Sequence, residues 1–290
     1  TRQTMCWMNS ARGWGCRYTQ KVRHSNQSRA LMVTMAICRG IRMLVRTGMV
    51  TQMDIHMGSG LPVSTVMITD LATLRLLQLV SPSLPIGAFT YSQGIEWCVE
   101  AGWVKDAESL QRWLSDLLDT GMAQMELPVL LRMMQAWENN DMSSLEYWCE
   151  LSMASRETAE LRMEERNRAV AMFRLLSSLE IAGIEQHESV LRSCQAAAYS
   201  YACVAWEISS HQACLGYTWS WLENLVIAAV KLVPLGQTDG QKVLMQLSSR
   251  VSEVIDVARQ QHDEEIGTSS PALAIASAQH ETQYTRLFRS

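Results

Sequence analysis

Residues 106–118 read Asp-Ala-Glu-Ser-Leu-Gln-Arg-Trp-Leu-Ser-Asp-Leu-Leu, and this stretch decides the fold class. Its apolar side chains recur at the spacing that places them on one face of an α-helix. They are Leu110, Trp113, Leu114, Leu117 and Leu118. Asp106 stands in the position of an N-cap, and Gly121 stands near the end of the pattern. The segment therefore predicts a capped amphipathic helix that buries its apolar face.

Helical patterns of this kind continue along the chain from residue 68. Pro128 suits the first turn of a second helix, and Thr238 with Gln241 has the spacing of a capping box. Further helices are predicted over 144–155, 156–178, 188–202 and 217–233. No convincing alternating strand pattern appears there. The sequence predicts an all-α, bundle-like single domain of roughly eight to ten helices.

The first 66 residues do not resemble the rest. Residues 1–67 carry nine Lys or Arg and one acidic residue, whereas 68–290 carry 16 basic and 28 acidic residues. The predicted division is therefore an atypical basic leader over 1–66 and a helical domain over 67–290. An acidic body is a poor nucleic-acid binder, and no apolar run reaches the roughly 20 residues that cross a bilayer.

Three interpretations of the leader stay open. It is sequence translated upstream of a native start at Met57 or Met67, a targeting segment, or a genuine extension that binds an acidic partner. The first is favoured because neither secretory regions nor amphipathic organisation is clear, and such a leader would be disordered.

The search for catalytic motifs yields no candidate catalytic residue. The chain has no phosphate loop, no H-E-x-x-H, no C-x-x-C pair and no nucleophile elbow. The best metal candidates are Cys203, His211 and Cys214, but their spacing matches no familiar zinc pattern, and a core thiol with a loop histidine is the preferred interpretation. His262 and His280 are expected in solvated or tail-like surroundings. We therefore predict no metal site.

Two segments have the composition of docking surfaces. Residues 81–96 read Ser-Pro-Ser-Leu-Pro-Ile-Gly-Ala-Phe-Thr-Tyr-Ser-Gln-Gly-Ile-Glu, a rigid path that includes Tyr91 and ends at Glu96. Gly94 destabilises the following helix, which indicates close approach of another backbone or of a partner. The chain ends with two arginines, two aromatic residues and a leucine over 284–289, which are typical interface anchors.

Charged residues inside helices leave alternatives open. Residues 156–168 alternate in charge at helical spacing, with Glu164 and Arg168 in the favourable i, i+4 order. A solvated helix face is the ordinary interpretation, and a subunit contact that includes Arg156 is the sharper one. Lys231 either extends its ammonium group to the surface or belongs to a binding surface.

These segments together resemble the UreF family of urease accessory proteins, from about residue 67 to residue 290. The resemblance is carried, in order, by residues 77–87, 91–96, 100–104, 156–158, 164–168, 230–237 and 280–290. Cys98 and Met163 depart from the family pattern, as does the long basic leader.

The resemblance implies an all-helical, cytoplasmic, non-enzymatic protein that forms a homodimer. It implies a complex with UreD (also called UreH) and the GTPase UreG that engages apo-urease and helps to install nickel. Nickel is then handled by the complex, and no cofactor is expected as a stable ligand of this chain. The alternative is a metal-handling protein that binds nickel directly through His and Cys.

The resemblance also implies roles for individual residues. Glu96 and Lys231 match positions of the surface that gates UreG. The tail residues that match the segment that becomes ordered against UreD are Tyr284, Arg286, Phe288 and Arg289. The candidates for the dimer contact are Arg156, Glu164, Arg168 and Tyr91.

Overall fold

The computed structural model describes residues 34–38, 41–45, 70–267 and 270–290. The chain forms two compact units, Thr1–Met67 and Ile68–Ser290. In the first unit, strand β1 (Thr34–Cys38) pairs antiparallel with strand β2 (Ile41–Val45). The proposed starts at Met57 and Met67, and the leader apart from β1 and β2, lie outside the described residues.

The second unit is helical. Its α-helices within 70–267 and 270–290 are α1 (Asp70–Leu79), α2 (Ile95–Glu100), α3 (Ala107–Leu117), α4 (Leu127–Asn139), α5 (Met142–Ala154), α6 (Ala159–Ser178), α7 (Glu188–Leu191), α8 (Gln195–Ala205), α9 (Ser210–Leu232), α10 (Gln237–Ser248), α11 (Val251–Gln260) and α12 (Pro271–His280). Ten of these helices have ten or more residues. The prediction of an all-α domain with roughly eight to ten helices is confirmed.

The core lies around α4, α8 and α9. Helix α4 packs against α5 and α8, while α9 contacts α2, α10 and α11. The largest side chains that are wholly buried are apolar residues of these and neighbouring helices, among them Leu110, Leu114, Leu127, Leu130, Met133, Leu145 and Met172. The apolar face predicted for residues 106–118 is therefore part of this core.

Helix ends follow the local sequence where a side chain can cap them. The Asp106 carboxylate accepts the Ser109 backbone N–H at 2.8 Å, which confirms the predicted N-cap of α3. The predicted capping box at Thr238 is wrong, because α10 begins at Gln237 behind an extended Gly236 that supplies no side-chain cap. The pattern over 188–202 is divided between α7 and α8 rather than forming one helix.

The helix predicted to end near Gly121 does not end there. Residues Leu118–Glu126 form a π-helix that joins α3 directly to α4. Gly121 lacks the positive φ that terminates helices, so the chain stays helical through it. Among the helices that the structure describes, none has both the length and the apolarity needed to cross a bilayer.

Candidate partner-binding site

The tail, residues 281–290, lies against the body of its own chain. The backbone N–H of Arg289 donates to the Thr90 carbonyl at 2.8 Å. The Ser92 backbone N–H donates to the carbonyl of Ser290 at 2.7 Å, and the hydroxyl of Ser290 donates to Glu164 Oε2 at 2.9 Å. Ser290 is fully buried, so the tail is anchored at its very end.

The Glu96 carboxylate, on α2, holds the middle of the tail. It accepts the backbone N–H of Leu287 at 2.6 Å and that of Phe288 at 2.9 Å. The side chain of Glu96 is 8% exposed. A buried carboxylate needs such partners, because its charge has left water. Glu96 therefore fixes the tail through the backbone, whatever side chains the tail carries.

His280 is buried between two carboxylates at the end of α12. Its Nδ1 lies 2.6 Å from Glu160 Oε2, and its Nε2 lies 3.3 Å from Glu96 Oε2. Glu160 also pairs with the Arg286 guanidinium of the tail. The expectation of a solvated His280 is wrong, because α12 packs against α2 and carries His280 into the interior.

Gly94 permits this close packing. Its φ is +79°, and a Cβ atom there would lie 3.0 Å from the Cβ of Ala276 and 3.1 Å from the backbone N of Ser277. Both neighbours belong to α12. The predicted close approach at Gly94 is confirmed, and the approaching backbone belongs to the same chain.

Lys231, on α9, is the remaining residue of the tail cluster, which also includes Ser92, Glu96, Glu160, Glu164, His280, Phe288 and Ser290. It is exposed, and its Nζ lies 5.7 Å from the centre of the buried Phe288 ring. Glu96 and Lys231 therefore both contact Phe288 of the tail. The resemblance implies that Glu96 and Lys231 serve one partner and that Phe288 serves another.

The outer side of the docked tail is apolar and exposed. Tyr284 is fully exposed and the residue Leu287 is 66% exposed. Arg286 and Arg289 are exposed beside them. Large apolar side chains in this position, flanked by arginines, are typical protein-binding anchors.

Known proteins give the family of this chain. The sequence model of the UreF family matches residues 104–248. A protein of Alcanivorax borkumensis named urease accessory protein UreF is 49% identical over 225 residues, which cover 76% of this chain and 98% of that protein. This chain belongs to the UreF family. Proteins of the same name from Pseudomonas putida strain W619 and Enterobacter sp. strain 638 are 45% and 43% identical, over 77% and 75% of this chain and 99% and 97% of their own lengths.

The four dimer candidates of this UreF-family chain lie inside its own fold. Arg156 pairs with Glu126 and with Glu165, the latter at 3.1 Å, and Arg168 pairs with Glu164 at 3.1 Å. The phenol oxygen of the buried Tyr91 accepts the side-chain N–H of Asn167. A role in dimerisation stays a prediction. The solvated-face interpretation is wrong for Glu164 and Glu165, because arginines neutralise both in the interior.

The buried charges of Glu165 and Arg156 are stabilised by the oppositely charged groups that lie beside them. Burial opposes ionisation of Glu165, but Arg156 and Arg168 hold the pKa of its carboxyl below the ordinary value. Burial likewise opposes the charge of Arg156, yet Glu126 and Glu165 raise its pKa well above the ordinary value. These groups therefore stay ionised and bind one another.

The three residues considered as metal ligands are not grouped as a ligand set among the described residues. Burial raises the pKa of the Cys214 thiol to about 12 and raises that of Cys203 further. Such thiols resist the deprotonation that metal binding requires. His211 lies in the first turn of α9 rather than in a loop, while the prediction that Cys203 is a core thiol is confirmed. Across 70–267 and 270–290, no group of three or more His, Cys, Asp or Glu side chains is placed to hold a metal ion.

The sequence did not single out Ser92, Glu160, His280 or Ser290 as parts of this cluster. A usable signal precedes His280, where residues 271–278 read Pro-Ala-Leu-Ala-Ile-Ala-Ser-Ala. Small side chains let helices approach closely, so a residue that ends such a helix is drawn inward.

Proposed function

We propose that this chain is a non-catalytic adaptor in urease maturation. It binds UreD and the GTPase UreG, brings them to apo-urease and regulates the GTP-dependent delivery of nickel. Membership of the UreF family supports the urease part of the proposal. Nickel is cargo of the assembly in this account, and the chain acts in the cytoplasm.

The docked tail is the observation that carries the adaptor role. Glu96 fixes the backbone at Leu287 and Phe288, so the outward side chains of Tyr284 and Leu287 are held in place before a partner arrives. A pre-organised anchor loses less conformational freedom on binding than a loose one. We assign the exposed side chains of Tyr284 and Leu287 to the surface that binds UreD.

A shared cluster would let one partner influence the other. Glu96 and Lys231, which we assign to the response to UreG, both contact Phe288. A partner that moves the tail changes the surroundings of both groups, and such coupling is reciprocal. The adaptor would thereby link binding of UreD to the state of UreG.

The homodimer remains part of the proposal. Glu164 bonds the terminal Ser290 and pairs with Arg168, so α6 and the tail are positioned together. In this account Arg156, Glu164, Arg168 and Tyr91 support a dimer by fixing α6 rather than by touching the second copy.

Co-purification of the full chain with UreD and UreG tests the proposal, followed by urease activation in the same mixture. We expect one assembly that contains all three proteins. Lys231→Ala should keep UreD bound and alter the dependence of activation on UreG, because Lys231 is exposed and its loss does not disturb the core.

Lys242→Ala is the matched control, since Lys242 is an exposed lysine of α10 that, among the described residues, pairs only with its neighbour Asp239. It should behave as the unaltered chain does. A chain that binds neither UreD nor UreG, or an equal effect of the two lysine substitutions, would contradict the proposal.

A further inference from the structure

The arginines of the helical unit differ in whether they have an acidic partner. Thirteen arginines lie within the described parts of 70–290, and eight of them form an ion pair with a carboxylate there. Four of the other five belong to helix α6 or to the tail, and they are Arg162, Arg166, Arg174 and Arg289. We call these four side chains the arginine face. Arginines that lack a carboxylate within the described residues are therefore concentrated in one part of the molecule.

Helix α6 separates its charges, because its acidic side chains are used within the fold. Glu164 and Glu165 are buried, and each pairs with an arginine. The third carboxylate, that of Glu160, pairs with Arg286 and contacts His280. The outer side of α6 is therefore left with positive charge that its own carboxylates do not neutralise.

The arginines of α6 follow one another along the helix. Arg162 and Arg166 stand four positions apart and Arg174 eight positions further, so the three lie along one stripe. Arg166 and Arg174 are exposed, while the half-buried Arg162 donates to the backbone carbonyl of Arg156. Like charges at i, i+4 destabilise a helix slightly. An arrangement that costs stability and gains no ion pair within the described chain is typical of a surface that a partner completes.

The tail brings the fourth arginine to the same helix. Arg286 pairs with Glu160, and the hydroxyl of Ser290 donates to Glu164, one turn further along α6. Arg289 lies between these two tail residues in sequence, and its side chain is exposed. The arginine face therefore borders the exposed apolar side of the docked tail.

Guanidinium groups bind carboxylates and phosphates, and the surroundings favour the carboxylates of a protein here. Residues 68–290 carry 28 acidic and 16 basic residues, so the body repels a long phosphate backbone. Met163 is 60% exposed and lies three positions before Arg166, where it offers an adaptable apolar contact of the kind that protein interfaces use. A short acidic segment would meet the arginine face and avoid the rest of the acidic surface.

We propose that the arginine face binds a short acidic segment of a partner protein. Carboxylates of that segment accept N–H groups of Arg166, Arg174 and Arg289, and Met163 packs against its apolar atoms. The exposed arginines speed the encounter and orient the partner, because such charges act mainly on association. Since the face borders the tail surface, we assign the segment to UreD, and this assignment rests on the proposed function.

Titration of an acidic peptide into the full chain tests the arginine face without any partner. The probe is fluorescein-labelled octaglutamate, and its binding is followed by fluorescence anisotropy at about 0.01 M salt, where screening sets in only beyond about 30 Å. We expect saturable binding that the double substitution Arg166→Glu with Arg174→Glu weakens by about tenfold. Binding should be lost at about 1 M salt, where the screening length is about 3 Å.

The double substitution Arg112→Glu with Arg259→Glu is the matched control. It reverses two exposed arginines on α3 and α11, so the net charge changes by the same amount away from the arginine face. This control should bind octaglutamate as the unaltered chain does. Because all four substituted arginines are exposed, circular dichroism should show unchanged helix content in both double variants.

Binding of UreD to the same variants tests the assignment of the partner. At about 0.1 M salt we expect Arg166→Glu with Arg174→Glu to weaken UreD binding by about tenfold, chiefly through slower association, and the control to leave it unchanged. Tyr284→Ala with Leu287→Ala tests the proposed function separately, because it leaves the arginine face intact. UreD binding that is lost in that variant and unchanged in the α6 variant would overturn this inference alone.

Two results with the peptide would also overturn the inference, even for a chain that fails to bind UreD. The first is octaglutamate that does not bind, or that binds the α6 variant and the control equally well. The second is tighter binding of an oligothymidylate of equal charge through the same arginines, because the face would then prefer a phosphate backbone.

Discussion

Glu96 accepts the backbone N–H of Phe288 at 2.9 Å across 192 positions of sequence. This bond joins the short helix α2 to the end of the chain. Because the acceptor is a buried carboxylate and the donor is backbone, the contact fixes the path of the tail and leaves its side chains free for recognition.

We predict that Glu96→Ala releases the tail. The substitution removes the acceptor of the backbone N–H groups of Leu287 and Phe288, and it removes the carboxylate that lies 3.3 Å from His280 Nε2. Bonds to charged groups contribute roughly 1.5–3 kcal/mol each, but the loss is shared, so the free energy of unfolding should fall by about 2–4 kcal/mol. Urea unfolding of the full chain measures it.

Glu108→Ala is the control for that change, because Glu108 is 79% exposed and its one ion pair within the described part of the chain is with the exposed Arg112. Its effect should stay within about 0.5 kcal/mol. Equal stability of Glu96→Ala and the unaltered chain would show that Glu96 does not hold the tail.

We predict that Gly94→Ala is more harmful than Gly87→Ala. Both glycines have a φ near +75°, so alanine costs about 1–2 kcal/mol at either position. At Gly94 the added Cβ also meets the α12 backbone, whereas at Gly87 no atom of the described residues lies within 4 Å of it. Urea unfolding should show a larger loss at Gly94, and equal losses would contradict the close contact with α12.

We predict that Arg156→Ala destabilises the chain by about 3–5 kcal/mol, because it leaves Glu126 and Glu165 buried without their partner. Arg112→Ala also removes an arginine, but from an exposed ion pair, and should lower the free energy of unfolding by less than about 1 kcal/mol. Chemical unfolding of both variants measures the difference. A small effect at Arg156 would mean that the network is solvated.

We predict that Glu165 contributes to an acid limit of stability. The pKa of its carboxyl is lowered in the folded chain, so its contribution is complete above the unfolded value of about 4.3. It is lost as the pH falls through the lower folded value. Unfolding measured between about pH 6 and pH 3 should therefore show a shallower decline in Glu165→Gln than in the unaltered chain. Parallel curves would contradict this.

We predict that the double substitution Tyr284→Ala with Leu287→Ala weakens UreD binding by at least about 100-fold, as loss of two interface anchors does. Both side chains point outward, so unfolding should hardly change. Tyr147→Ala, at an exposed tyrosine of α5, should bind as the unaltered chain does. Retained affinity in the double variant would place the UreD surface elsewhere.

Much of the fold was predictable, because it depends on local signals. The apolar spacing over 106–118 and the N-cap at Asp106 each predict a helix from residues that are close together in sequence. The π-helix was not predictable in this way. In the sequence Gly121 indicates the end of a helix, but a glycine ends a helix in this manner only when its φ is positive, and the φ of Gly121 is not.

Several residues of the site were predictable from the sequence, but their contacts with one another were not. Glu96, Lys231 and Phe288 were each singled out, yet nothing local states that they meet. Their contact depends on α12 passing over Gly94, which is a property of tertiary packing. Burial of His280 and Glu164 follows from the same packing, and a charged pattern at helical spacing cannot reveal it.

The central claim is that the tail is docked before a partner binds. Hydrogen exchange of the full chain alone, followed at the amides of Leu287 and Phe288, tests it most directly. We predict slow exchange at both, because each N–H is bonded to Glu96, and exchange at the unprotected rate in Glu96→Ala. Exchange at the unprotected rate in the unaltered chain would contradict the account, because the tail would then be free until a partner orders it.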